Sequence, residues 1–456
     1  MAKVKYKKTY RFGNWSSPTM SKDYRGKLRQ AKHRIYSLFN DYRGMPKQAK
    51  YLIYSSIFPS IAYGMFYADI SYFLTAVQGV SDVLMGSVIT LMGVSAVVAS
   101  ILLGIAADKY GRRVLLIVGN VLASVIIAVF ALTTNPAILI IAALVEGISE
   151  GAFAASASAL LAEKVGNERR NSAFSLSGFV QSIAFGLGSF MIAVVVIFTS
   201  FGFTVKDSHI FLYVILALLS LASTVIMLRI SESSNLKKAK AGMRELLPRK
   251  SKKVLIKYVV AGAIIAFGAG MIVPLMARWL DRQYNISDAI SGPILGISSV
   301  VIGVATLAAP PLARRIGLVR AIVVTQAAST IFMFTTPLSP DYISASVVYT
   351  SRAFLMNMSN PLQQSMIMGL VAEDERGAAS GVSAALWRLP NSLSTVIGAY
   401  LIGIGQLAAP FFFAGLFYIV SIALFWNYFH NTKMPEELTA KKATAEQVPT
   451  GAENEP

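Results

Sequence analysis

The sequence predicts an all-α membrane protein in which twelve transmembrane helices form two six-helix bundles. Three observations lead there. Of the 456 residues, 55% are hydrophobic and only 14% charged, whereas a soluble domain carries about a quarter charged residues. Apolar runs of about twenty residues or more, the length that a spanning helix needs, recur along almost the whole chain. The one long polar interruption, "ISESSNLKKAKAGMRELLPRKSKK" at 230–253, divides these runs into six and six.

The expected spans are 51–76, 83–106, 114–134, 137–161, 173–199, 210–229, 254–277, 289–312, 318–337, 342–370, 378–404 and 410–430. They define a basic extension (1–50), a first bundle (51–229), a linker (230–253), a second bundle (254–430) and a tail (431–456). The tail, rich in Ala, Glu, Thr and Pro, reads as disordered. In the extension, Leu28, Ala31, Ile35, Leu38 and Phe39 recur at helical spacing, apart from Lys27, Arg29, Lys32 and Arg34. A helix lying on an anionic leaflet and a merely solvated segment both fit that pattern. The first apolar run begins near Tyr51 and is too long for a cleaved signal.

The net charge is +19, and 24 of the 42 Lys and Arg fall within residues 1–50 and 229–257, flanking hydrophobic segments. That placement is topological and argues against nucleic-acid binding: basic loops stay on the cytoplasmic side. The loops at 107–113, 163–171, 229–253, 313–320 and 371–377 form the basic set. With an even number of spans, both termini are expected to be cytoplasmic, in a protein of the cell membrane. The opposite loops, such as "QGVSD" and "RQYNISD", hold few basic residues.

Absence of cysteine excludes disulfides and thiolate chemistry. His33, His209 and His430 lie far apart near expected helix ends, so neither a metal site nor a bound cofactor is expected. No clustered nucleophile or catalytic domain points to an enzyme. Two weak internal echoes suggest duplication. "LLAEKVGNERRNSAFSLSG" after the fourth span resembles "GLVAEDERGAASGVSA" after the tenth, and "GIAADKYGRRVLL" has a decayed counterpart in "PPLARRIGLVRAI". Repeats at matching places of two halves mark secondary transporters.

The stretch "GIAADKYGRR" at 104–113 matches the pattern G-x-x-x-D-R/K-x-G-R-R/K between the second and third spans. In this it resembles the major facilitator superfamily, and the resemblance extends over about residues 50–430. It implies a major facilitator fold and a cytoplasmic gate motif formed by Gly104, Asp108, Lys109, Gly111, Arg112 and Arg113. Asp108 would accept hydrogen bonds from Arg112 and from the start of the eleventh span near Gly377 to Ser380. Arg112 or Arg113 would reach Glu163 or Glu168, latching the halves together. Two departures from the family, Ala143 where many members carry Arg and the missing Pro in "SIAFGLGSF", weaken a reading as a drug–proton antiporter.

Ionisable residues at mid-membrane are costly and so are functional candidates. Glu146 and Glu150 stand one turn apart in "LVEGISEGAF", with Arg352 and Arg388 at similar depth in spans ten and eleven. Asp69 is expected nearer the surface. Two carboxylates one turn apart in low dielectric resist joint ionisation, which suits proton coupling; the competing reading pairs each Glu with an Arg. Tyr63, Tyr67, Asn357, Asn360, Gln364 and Asn391 are candidates for a polar cavity. Gly147, Gly151, Gly178, Ser182 and Gly186 are expected to pack helices closely, and Pro274 and Pro390 to kink spans seven and eleven.

The expected function is secondary active transport of a small organic solute by alternating access, in a monomer within the bilayer, driven by a proton gradient. An uncoupled facilitator or a ligand sensor of the same fold is the alternative. The cysteine-free background makes the topology directly testable. Single cysteines at Asp82, Asn135, Asp207 and Asp341 should react with an impermeant thiol reagent from outside, and those at Asp108 and Lys240 should be spared. The opposite pattern would invert the orientation.

Overall fold

A computed structural model describes residues 44–165, 170–231, 250–372 and 375–432. Among these residues the chain is helical throughout, without a strand. In order, the helices are α1 (Lys47–Ser55), α2 (Ile57–Tyr72), α3 (Asp82–Tyr110), α4 (Arg112–Leu132), α5 (Pro136–Val165), α6 (Arg170–Met191), α7 (Val194–Ser200) and α8 (Val205–Met227). After the linker come α9 (Lys252–Gly270), α10 (Met276–Tyr284), α11 (Asp288–Ile316), α12 (Leu318–Thr335), α13 (Tyr342–Leu370), α14 (Arg376–Gly403) and α15 (Ala409–Phe429). The expected helix in the basic extension, the tail and most of the linker lie outside the described residues.

Each expected span coincides with helix. Nine stretches are long and apolar enough to cross a membrane among the described residues. The other three expected spans, 51–76, 342–370 and 378–404, are helical but broken or more polar. On α4, Val114, Val118, Leu122 and Val125 stay exposed at helical spacing, which in a membrane protein is the face turned to lipid.

Local chemistry sets the helix boundaries. Asn135 accepts from the amides of Ala137 and Ile138 at 3.0 and 3.4 Å, with Pro136 in the first helical position of α5. Asp341 closes a capping box on α13 with Ser344, and the hydrogen bonds it accepts from Ser344 hold its carboxyl below the usual range. Pro274 breaks the seventh span as expected. Lacking an N–H, it cannot bond the carbonyl of Gly270, where α9 ends. The Thr395 hydroxyl of α14 donates to that carbonyl at 3.1 Å instead. Pro390, by contrast, sits inside an uninterrupted α14.

The helices pack as two sets with one repeated pattern. In the first, α2 packs on α6 and α8, α3 on α5, and α4 on α5 and α8. In the second, α9 packs on α14 and α15, α11 on α13, and α12 on α13 and α15. A shift of 206 residues carries Asp82 onto Asp288, Gly86 onto Gly292 and Gly111 onto Gly317. Both Gly111 and Gly317 take positive φ, 101° and 88°, at the reversal after α3 and after α11. The same shift relates the close approach of Gly64 to the Phe185 carbonyl and of Gly270 to the Asn391 carbonyl.

The two sets meet through α3 against α14 and α6 against α11. Contact is made at the end away from the basic loops. There Gly86 faces Ala399, Gly93 faces Ser392, Gly292 faces Ile192 and Gly296 faces Phe190. Small residues also seat helices within a set: a β-carbon on Gly147 would collide with Ser95 Oγ and with the Met92 carbonyl oxygen. Gly151 packs likewise, but Gly178 has nothing within 4 Å and Ser182 is exposed. The expectation of close packing therefore fails at those two positions, because that face of α6 turns toward open space.

Gly147→Val is accordingly expected to lower the thermal unfolding midpoint, at a cost of at least the ~1–3 kcal/mol typical of overpacking. Gly178→Ala should leave the midpoint within experimental scatter. Equal losses in both variants would show that the α3–α5 approach is not limiting.

Candidate functional site

A cavity of about 440 Å³ opens in the first set, lined by α1, α2, α5 and α6. Its walls toward the basic-loop end are largely apolar, with Leu52, Phe153, Leu161 and Phe174. Its deeper wall carries Tyr63, Tyr67 and Glu150. The two tyrosine rings stack, 5.8 Å between centroids and 17° between planes, because residues four apart on α2 share a face.

Glu150 is the polar centre of that wall. Tyr67 donates to Oε2 at 2.9 Å, and Arg388 of α14 pairs with Oε1. The ion pair joins the two sets of helices. Glu146, one turn earlier, is fully buried, and neither of its oxygens has a hydrogen-bond partner among the described residues. An ionised carboxylate there would be a buried charge with no countercharge among the described residues.

Of the four charges expected near one depth, only Glu150 and Arg388 meet. Arg352 is buried within the second set, donating to the Tyr418 hydroxyl at 3.1 Å and lying 4.8 Å over the Tyr349 ring. Its α13 turns it toward α15 and away from the cavity, which corrects its placement as a cavity residue. Asn357 and Asn391 bond the carbonyls of Ala353 and Ala266. Asn360 donates to Asn357, and Gln364 is exposed. None of these four lines the described cavity.

At the gate motif, Arg112 approaches Glu163 at 3.4 Å as expected, and Arg113 donates to the Leu228 carbonyl. Both contacts lie within the first set, so they tie its loops together and do not latch the halves. The side chains of Gly104 to Tyr110, including Asp108 and Lys109, lie outside the described residues, as do Glu168 and the side chains at Gly377, Ala378 and Ser380.

The sequence reading missed a second polar cluster, at the far end. Asp69, expected near the surface, is fully buried. Tyr213 donates to its Oδ2 at 3.1 Å. His209 Nε2 lies 2.5 Å from Asp288 Oδ2 and 3.9 Å from Asp69 Oδ2. Among the described residues these three alone could offer ligand atoms to one metal ion. The 2.5 Å Nε2–Oδ2 separation does not suit such an ion: two ligands each about 2.0–2.2 Å from it in tetrahedral geometry stand well over 3 Å apart. Beside this cluster, Arg278 of α10 bonds Asp82 at 2.8 Å and Asp281 at 2.6 Å. Asp82 is thus buried and ion-paired, a poor labelling site, whereas Asn135, Asp207 and Asp341 are exposed.

The comparisons with known proteins agree with this architecture. A model of the Major Facilitator Superfamily matches residues 52–395 and 258–452. The chain belongs to that superfamily. A relative, the uncharacterized membrane protein YJR124C of Saccharomyces cerevisiae, is 22% identical over 362 residues, covering 68% of this chain and 81% of its own. The nucleoside transporter NupG, in a mutant form, superposes with a TM-score of 0.72 at 13% identity, over 84% of this chain and 100% of its own. A D-xylose–proton symporter gives 0.66 at 16%, over 83% and 97%. The chain is therefore a major facilitator transporter.

In such a transporter the Glu150–Arg388 pair can be weighed directly. Glu150→Gln and Arg388→Gln should each destabilise this conformation by about 1.5–3 kcal/mol, the range for a hydrogen bond to a charged group. The double variant should lose less than the sum. Unfolding midpoints of the purified protein measure this, and strictly additive losses would show that the two side chains do not interact.

Proposed function

We propose that the protein is a proton-coupled secondary transporter of a small polar organic solute, working by alternating access. The observation that carries the reading is the unequal environment of Glu146 and Glu150. One is buried with Tyr63 as a polar neighbour and no countercharge among the described residues; the other is held by Tyr67 and by Arg388 from the opposite half. Tyr63 lines the cavity and is an electrostatic neighbour of Glu146, so it links the buried acid to the solute chamber.

Glu146 is the proton carrier in this reading. It takes a proton when the cavity faces one side and yields it when the cavity faces the other. Glu150 and Arg388 hold the halves in register while the solute is bound. The solute sits against the Tyr63–Tyr67 stack in a chamber whose volume, about 440 Å³, falls in the range of small-molecule sites. The conformation described here has its halves apposed at the far end and its cavity toward the basic loops. Positive-inside bias assigns the basic-loop side to the cytoplasm, which supports reading this conformation as inward-facing. The structural neighbours include nucleoside, peptide and D-xylose–proton transporters, which sets the first classes of solute to screen.

The test is uptake into proteoliposomes under an imposed pH gradient, screened over nucleosides, sugars, short peptides, amino acids and organic ions. Glu146→Gln is expected to abolish gradient-driven accumulation while leaving exchange between equal solute pools intact. Accumulation that persists in both Glu146→Gln and Glu150→Gln would make the glutamates structural and end the proton reading.

A further inference from the structure

The far end of the molecule holds a buried polar cluster that the transport reading does not use. His209 sits in the first turns of α8, Asp69 near the end of α2 and Asp288 in the first turn of α11. The first two belong to one half and the third to the other. Phe73 covers them, stacked on the His209 ring at 5.3 Å and on Tyr213 at 4.7 Å.

Hydrogen-bond chemistry fixes where the protons are. His209 Nδ1 lies 2.7 Å from the Val205 carbonyl oxygen. A carbonyl only accepts, so Nδ1 carries a hydrogen. Nε2 faces Asp288 Oδ2 at 2.5 Å. A bare imidazole nitrogen and a carboxylate oxygen are both acceptors, and at that distance they need a proton between them. The pair therefore holds one proton more than a neutral imidazole beside a free carboxylate. Asp69 adds a carboxyl whose Oδ2 accepts from Tyr213, while its Oδ1 is buried without a hydrogen-bond partner among the described residues. The remaining titratable or charged neighbours are Tyr72, which feels both Asp69 and Asp288, and Arg278 and Asp281 of α10, which it also feels. Arg278 is already committed to Asp82 and Asp281.

We propose that His209 and Asp288, with Asp69, form a second proton-binding site that clasps the two halves at the far end, so that acid holds that end closed and base releases it. This inference rests on the alternating-access reading. When α11 parts from α2 and α8, Asp288 leaves His209, the hydrogen bond breaks and both groups meet water. Free imidazole releases its proton near pH 6.5 and a free aspartate near 3.9. Above about pH 6.5 the closed state thus binds one proton that the open state does not. The open-to-closed ratio should rise about tenfold per pH unit there, until the closed pair itself gives up the proton. Below about pH 6.5 His209 is protonated in both states and the dependence flattens.

The experiment uses the full-length, naturally cysteine-free chain in lipid nanodiscs. Spin labels are placed at Thr134→Cys and Gln406→Cys, exposed positions on the far-end loops of the two halves, and distances are read by pulsed electron resonance from pH 5.5 to 9. Two populations are expected, with the longer distance growing as pH rises through 7 and 8. His209→Gln should remove that dependence, and Asp288→Asn, a second variant in case the first folds poorly, should do the same. Two populations that respond to pH identically in these variants, or not at all in the parent, would overturn the clasp while keeping alternating access. A single distance at every pH would remove both readings. Closure by micromolar zinc in the parent but not in His209→Gln would reassign the site to a metal and overturn the proton assignment.

Discussion

An ionised group loses several kcal/mol when it leaves water without a partner, and the arrangement of this transporter follows from that cost. Among the charged groups of the described core, three acids pair with a basic side chain of the opposite half, while Arg352 and Asp69 are held by tyrosines of their own half. Glu150 has Arg388, Asp82 has Arg278, and Asp288 has His209. Each of these pairs joins a residue of one half to a residue of the other. Among the described residues Glu146 is left without a charged partner. Polar attachment between the halves therefore comes from a small population of side chains.

Two of the inter-half pairs come in places related by the 206-residue shift. Asp82 and Asp288 open equivalent helices 206 residues apart, and each reaches into the opposite half. Their partners differ. Asp82 meets guanidinium groups that stay charged at any physiological pH, whereas Asp288 meets an imidazole. Two equivalent helix starts thus carry contacts of unlike chemistry.

Much of the fold was legible in one dimension, since apolar run length and basic-loop bias are local signals. Glu146, Glu150 and Arg388 stood out because a charge inside an apolar run is conspicuous wherever it folds. Which charges meet was not legible. Arg352 and Arg388 look alike in sequence, and only the rotation of α13 sends Arg352 to Tyr418. His209 and Asp288 were hidden because "VKDSH" and "YNISD" read as loop ends, whereas burial there comes from a crossing between halves. One signal was available: "SDVLMG" and "SDAISG" repeat at the same 206-residue interval, marking equivalent helix starts that face the opposite half.

The seam of Gly86, Gly93, Gly292 and Gly296 against Ala399, Ser392, Ile192 and Phe190 has a mechanical corollary. The four glycines have no side-chain torsions, so on their side of the seam no rotamer freedom is lost when the surfaces meet. One side of this joint is bare backbone, against which the facing side chains seat directly. The polar pairs across the halves then supply most of the side-chain chemistry that is specific to this joint.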